Sequence, residues 1–224
     1  MQLKNIVPWG RNLSEYVAMF SMTQEDLDAK ILDCGAGPSS FNMEVDLEGG
    51  SVVSIDPLYA YSKKEISTRI DEVTNDIMKQ IEQNIESYVW KAIQNPDMLL
   101  DMRIEAMTEF VIDYEEGKEE GRYLNEELPS LSFDDKQFDL ALSSHFLFLY
   151  SEHLDEEFHM KSILEMLRVA NEVRIFPLLD LKGNKSPYVE TVIKKLEEQD
   201  YKTKIEKVRY EFQKGANAML RIKA

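Results

Sequence analysis

The stretch ILDCGAGPSSF, residues 31–41, sets a carboxylate, Asp33, two residues before Gly35 and four before Gly37. Glycine lets a backbone come close to a ligand, and Gly-rich turns after strands commonly hold one. The question is which ligand. A dinucleotide fingerprint reads G-x-G-x-x-G, its third glycine letting the helix pack against the strand. Here Gly35-Ala36-Gly37-Pro38-Ser39-Ser40 puts serine in the third place. Asp33 would oppose a pyrophosphate and favour a cation. Asp56, 21 residues after Gly35, ends the next apolar run, where an acid would take ribose hydroxyls. The pattern suits an adenosine carrying a positive group better than a diphosphate. A tight turn with a capping serine and no ligand is the structural alternative.

Further along, His145 follows the run FDLALSS, and its pKa range suits proton transfer. A histidine bonded to a neighbouring loop is the other reading. Tyr150 is the second candidate for a catalytic role, followed by Tyr59, His153 and Asp180. HFLFLY, residues 145–150, is apolar enough to be mostly core, with one or two aromatic edges left for a pocket. Trp9 and Arg11, in the turn VPWGR, could fold over a bound cofactor, with Arg11 pairing its carboxylate; a packed surface turn explains them as well. No metal site is expected. His153 and His159 fall on different helix faces, and the chain has neither H-E-x-x-H nor a second cysteine beside Cys34. A G-x-S-x-G nucleophile turn is absent too.

These residues need elements to position them. Lys30–Cys34 and Ser51–Ile55 read as strands around the Gly turn and a helix opened by Ser39 or Ser40, the start of a parallel sheet. Before them, residues 3–29 form an approach segment with a short helix capped by Ser14. Ser62 and Glu65 form a capping box, and Ile66 through Ile93 repeat every three or four positions, predicting one long helix ended by Asn95-Pro96. A second helix follows over 97–119. The two make a helical hairpin, residues 61–120, that serves either as extra packing or as a lid over the ligand. Strands are expected at 138–143 and 172–178, with helices capped by Ser151 and Ser186. The last two strands, 203–212 and 216–223, have only three residues between them, which forces an antiparallel pair. Without repeats or a flexible linker, residues 1–224 read as one domain.

Composition narrows the partners. Asp and Glu outnumber Lys and Arg by 42 to 26, a formal charge of −16, so nucleic acid is not an expected partner and a small molecule is. A single cysteine suits a reducing compartment. The start lacks signal-peptide character, and no apolar run approaches membrane-spanning length. A cytoplasmic protein without membrane attachment is expected. The oligomeric state is not specified.

LDCGAG resembles the first motif of the class I S-adenosylmethionine-dependent methyltransferases, and VVSIDP resembles their acidic second-strand end. LNEELPSLSFDDKQFDLALSSH is similar to the segment that runs past the adenine into their fourth strand, and the closing antiparallel pair also matches. The resemblance covers residues 30–59 and 122–224. The insertion lies outside it, and such insertions commonly help form the substrate pocket. The resemblance implies a Rossmann-like methyltransferase fold, α/β, with a mainly parallel seven-stranded sheet, a C-terminal antiparallel strand and the inserted hairpin. It implies S-adenosyl-L-methionine as cofactor, S-adenosyl-L-homocysteine as product, and in-line methyl transfer to a small-molecule substrate. Asp33 would then lie near the methionine ammonium, with Gly35 and Gly37 admitting the ligand. Asp56 would hold the ribose, and Pro57 or Leu58 would border the adenine. Glu127, or Glu126 by a one-residue ambiguity, would accept from the adenine amino group, with Leu128 giving a backbone N–H. Ser143 and Ser144 would face the methyl group and substrate. Positioning and desolvation supply much of such a rate, and a base is needed only if the nucleophile keeps its proton. Two competing readings stand: an NAD-type oxidoreductase, and a non-catalytic binding protein on the same fold.

Overall fold

The computed structural model describes residues 7–223, so the start of the approach segment lies outside the described residues. Helices α1 (Leu13–Phe20) and α2 (Gln24–Leu27) lead into strand β1 (Lys30–Cys34), helix α3 (Phe41–Leu47) and strand β2 (Ser51–Ile55). The insertion contributes α4 (Lys63–Gln83) and α5 (Pro96–Glu119). There follow β3 (Tyr123–Leu124), β4 (Phe138–Ser144), α6 (Glu156–Val169), β5 (Ala170–Phe176), α7 (Val189–Glu197), β6 (Lys202–Lys207) and β7 (Ala218–Lys223).

The strands form one seven-stranded sheet in the order β3-β2-β1-β4-β5-β7-β6. β1 to β5 run parallel, and β7 is antiparallel to both neighbours. The expected mainly parallel sheet with its antiparallel C-terminal strand is therefore present. Helices cover both faces, so β1 is buried along four of its five residues, as a parallel strand requires. One core cluster lies under α6 and α7, around Leu32, Ala141, Val173 and Leu220; the other packs α1 and α3 onto Ile31, Val52 and Leu142.

The hairpin is present, but its first helix is shorter than its isoleucine spacing predicts. α4 begins at the Ser62–Glu65 capping box and stops at Gln83 rather than near Ile93. Beyond it the backbone finds distant partners: the Val89 N–H donates to Phe212 O (2.7 Å), and the Lys214 N–H donates to Ser87 O (3.0 Å). Residues 84–95 thus dock on the β6–β7 connection. That connection is itself longer than the expected three residues, because β6 ends at Lys207 and β7 starts at Ala218. Three caps also move. Asn12, not Ser14, caps α1 and accepts from the Glu15 N–H (3.0 Å). Asp155, not Ser151, caps α6. α7 begins at Val189, beyond Ser186, with no side-chain cap.

The insertion is fastened to the sheet domain by polar contacts. The Tyr114 hydroxyl reaches the carbonyl oxygens of Tyr59 (3.0 Å) and Tyr61 (2.9 Å), and Lys118 Nζ donates to Tyr59 O (2.6 Å). Arg103 of α5, 1% exposed, forms a bidentate ion pair with Glu15 of α1 and also donates to Gly10 O (3.2 Å). Tyr210 of the β6–β7 connection donates to the same Glu15 (3.0 Å). N-terminal turn, insertion and C-terminal connection meet at one buried charge pair.

Candidate functional site

A cavity of about 1030 Å³ opens at the carboxyl ends of β1, β2 and β4, beneath the insertion. Open parallel sheets hold ligands at this edge. The turn after β1 lies in its wall, with Gly35 at φ +68° and Gly37 at φ +58°, both left-handed. A Cβ on Gly35 would stand 2.9 Å from the Phe146 ring, so that position is glycine for space as well as for φ. A Cβ on Gly37 would meet nothing within 4 Å, which leaves room beside that turn for a ligand.

The end of β2 braces the turn. Asp56 accepts from the Gly37 N–H (2.9 Å) and the Leu58 N–H (2.8 Å), while the Tyr59 hydroxyl donates to Gly37 O (2.7 Å). Pro57 opens a 3-10 turn over Pro57–Ala60 that Asp56 caps, and Pro57 and Leu58 join the cavity wall. Burial raises the Asp56 carboxyl pKa; the two N–H donors partly offset this, and the charge of Glu127 adds to the rise. Tyr59 is buried within this brace and does not line the cavity, so it has a structural role.

Asp33 lies fully buried behind the same turn. Tyr16 of α1, which does line the cavity, donates its hydroxyl to Asp33 Oδ2 (2.9 Å). Oδ1 has no hydrogen-bond partner. Burial lifts the carboxyl to about 7, the Tyr16 bond partly counters it, and the Asp56 charge adds to the lift. A buried carboxylate oxygen without a donor is costly, and a cation brought near it would relieve that cost.

The N-terminal turn closes over this corner. Trp9 and Arg11 both line the cavity. Arg11 Nη1 donates to Trp9 O (3.0 Å), while Nε is buried and unpartnered. Burial, and then the nearby Arg103 charge, lower the Arg11 pKa. Because Arg103 is matched by Glu15, Arg11 is the guanidinium left to meet an anion in the cavity.

On the β4 side the structure corrects one expectation. Ser143 is fully buried and does not line the cavity; Ser144 does. Successive residues of a strand point to opposite faces, so only one of the pair can look into the site. His145 lines the cavity at φ +54°, fixed by its N–H donating to Phe176 O (2.6 Å). Its Nδ1 is 3.0 Å from Ser144 Oγ. Burial, then the charges of Arg11 and Arg103, push its pKa well below the usual value, so the imidazole is neutral. Tyr150 also lines the cavity, and its hydroxyl accepts from the Val7 N–H (3.3 Å). Of HFLFLY, Leu147 and Phe148 are core, while Phe146, Leu149 and Tyr150 face the cavity.

Glu126 and Glu127 part ways at the far rim. The Glu126 carboxylate accepts from the backbone N–H (3.0 Å) and the hydroxyl of Ser132. Glu127 is exposed and lines the rim, with Leu128 beside it. Asp180 accepts from the N–H groups of Lys182 and Asn184 and holds its own loop. His159 is a satisfied core histidine, accepting from the Phe148 N–H (2.9 Å) with Nδ1 2.7 Å from Asp155 O. Neither Asp180 nor His153 is on the cavity wall. Among the described residues no three His, Cys, Asp or Glu side chains gather as a metal site, and no helix is long and apolar enough to cross a membrane.

Several wall residues carry no sequence signal. Tyr16 and Tyr210 reach the site from helix and loop positions whose local patterns mark only packing. Phe212 arrives beside Ile77 and Ile81 of the α4 isoleucine stripe through the docking of residues 84–95 on the β6–β7 connection.

No family model matches the chain. Among solved structures, it is similar to magnesium protoporphyrin IX methyltransferase from Synechocystis PCC 6803 with bound S-adenosylmethionine. That likeness has 13% identity and TM-score 0.49, over 94% of this chain and 77% of the other. It is also similar to an S-adenosylmethionine-dependent methyltransferase from Aquifex aeolicus, at 15% identity and TM-score 0.43, over 93% of this chain and 90% of that one. In sequence it is 34% identical over 224 residues to the uncharacterized protein MJ0045 of Methanocaldococcus jannaschii, covering 100% of this chain and 98% of the relative. By that end-to-end match, the chain belongs to the same family as the Methanocaldococcus jannaschii protein.

Proposed function

We propose that this protein transfers a methyl group from S-adenosylmethionine to a small molecule. The observation that carries the reading is the placement of Asp33 and Asp56 at either end of the Gly35-Ala36-Gly37 turn, with Asp33 Oδ1 lacking any donor. Two carboxylates there oppose a pyrophosphate and suit an adenosine bearing a cation. The surrounding groups fit the rest of that cofactor. Asp33, buried just behind the cavity wall, would lie near its ammonium, and Arg11 would pair with its carboxylate. Asp56 retains lone pairs for ribose hydroxyls, Pro57 and Leu58 would border the adenine, and Glu127 with the Leu128 N–H would read its edge.

When bound, the cofactor supplies a methyl group whose bonding electrons stay with sulfur as it becomes a neutral thioether. The chain's part is to hold both partners in line and keep water out, with Trp9, Phe146 and the insertion roofing the cavity. The neutral His145 would take a proton from an acceptor that still carries one, and Tyr150 would orient it.

Calorimetry with S-adenosylmethionine, S-adenosylhomocysteine and NAD, followed by methyl-transfer assays on small molecules and on RNA, tests the proposal. Binding of both sulfur compounds and transfer to a small molecule are expected. Binding of NAD alone would overturn the cofactor, and transfer only to RNA would overturn the substrate class. Cofactor binding with no transfer to any acceptor would favour a binding protein.

A further inference from the structure

The cavity continues past the groups matched to the adenosine cofactor, and its far lining is built differently. Ile77 and Ile81 of α4 pack with Tyr88 and Phe212 in one cluster, the two rings stacked at 4.8 Å and 22°. A second cluster, Leu149, Tyr150 and Leu181, lies in the wall nearer β4 and β5. Lys64, Glu65, Arg69 and Glu72 are exposed side chains on the N-terminal half of α4, where Arg69 pairs with Glu72 (3.3 Å). Deeper in, Glu15 and Arg103 neutralise each other, and Arg11 is matched to the cofactor's carboxylate.

Beyond Ser144, His145 and Tyr210, already placed on the cavity wall, two polar groups border these clusters. The Tyr150 hydroxyl accepts from the Val7 N–H, which leaves its own proton to donate. Gln213 donates through Nε2 to Asp180 O (3.3 Å), which leaves its amide oxygen as an acceptor. One donor and one acceptor in an apolar chamber match one hydroxyl group. A charged molecule would shed its hydration there without finding a partner.

We propose that this compartment binds the second substrate, an uncharged and predominantly apolar molecule bearing a single hydroxyl, and that Ile77, Ile81, Tyr88 and Phe212 set how long an apolar tail it accepts. The assignment of the compartment to a second substrate rests on the methyl-transfer reading. Its apolar selectivity does not.

The test titrates 4-ethyl- to 4-pentylphenol into the full chain, with and without saturating S-adenosylhomocysteine, beside the matching 4-alkylbenzoates and 4-alkylphenyl-trimethylammonium salts. Each added methylene should tighten Kd about fourfold until the chamber is full. The charged analogues should bind at least about tenfold more weakly. Phe212→Ala and Ile77→Thr should flatten the chain-length dependence while S-adenosylhomocysteine still binds. Affinity independent of chain length, or charged analogues equal to the phenols, would overturn the proposal. If a variant loses the fold, read by its loss of S-adenosylhomocysteine binding, the series on the unaltered protein decides alone. If the unaltered protein binds the phenols as expected but not S-adenosylhomocysteine, the apolar chamber stands and the methyltransferase reading fails.

Discussion

Replacing Asp33 with Asn removes a fully buried carboxyl from beside the site and keeps the side chain's shape. In the folded protein the Asp33 carboxyl is lifted from its ordinary 3.8 to about 7, because burial outweighs the single bond from Tyr16. A carboxyl raised in this way contributes stability that is fully present below about pH 4 and is lost as pH rises through 7. Across that window the loss comes to roughly 4 kcal/mol. Asn does not titrate. It can still accept from the Tyr16 hydroxyl through its amide oxygen, but its NH2 enters a place with no acceptor, at a cost of about 1–3 kcal/mol. The variant should therefore be about 1–3 kcal/mol more stable than the parent at pH 8 and somewhat less stable at pH 4.5, by urea unfolding. The same charge should govern the cofactor. A cation at Asp33 selects the ionised form, so the parent's affinity for S-adenosylmethionine should rise about tenfold per pH unit below 7 and level off above it, with proton release. In Asp33→Asn, affinity should fall and the pH dependence attributable to this group should vanish. Calorimetry in buffers of different ionisation enthalpy reads both. A variant that is less stable at pH 8, or that binds the cofactor with the parent's affinity and pH profile, would refute the reasoning.

Asp56→Ala should weaken S-adenosylhomocysteine binding by about 1–3 kcal/mol, and unchanged affinity would rule out a ribose role. His145→Ala should lower turnover while cofactor affinity stays near that of the parent. Because burial and two arginines hold His145 neutral, the parent's kcat profile at saturating S-adenosylmethionine should lack a histidine inflection between pH 6 and 8, and one near 6.5 would contradict that electrostatics. Arg103→Met should destabilise the fold by about 3–5 kcal/mol, because it leaves Glu15 buried without its partner. Adding Glu15→Leu should restore much of that loss in denaturant unfolding.

The geometry at the ends of β1 and β2 was legible because it is local. Gly35, Gly37 and Asp56 are tied to one another within a single β-turn-α-β unit, and the Ser62–Glu65 box marks the start of α4 by the same short-range logic. The antiparallel closing pair was expected from a three-residue connection; the connection is ten residues long, which is still shorter than a parallel crossover needs. The two-residue β3 had no such pattern: it pairs with Ser54 and Ile55 only because α5 delivers the chain to that edge. The different settings of Glu126 and Glu127, both on the cavity wall, also lay beyond spacing, since what sets them apart is Ser132, six residues on.

By itself, then, the sequence determined the acid-flanked turn, the alternation of strands and helices, and the presence of a helical hairpin. These rest on backbone preferences and on periodicities spanning a few residues. Only the tertiary structure decided that α4 stops at Gln83, that Ser144 rather than Ser143 meets the cavity, and that Tyr16 and Arg103 surround the site. Each of those outcomes depends on a partner brought from elsewhere in the chain: Phe212 O for the Val89 N–H, Glu15 for Arg103, Asp33 for Tyr16. The spacing of residues along one element cannot reveal such a partner, because its position in space is fixed by the packing of the whole sheet and insertion.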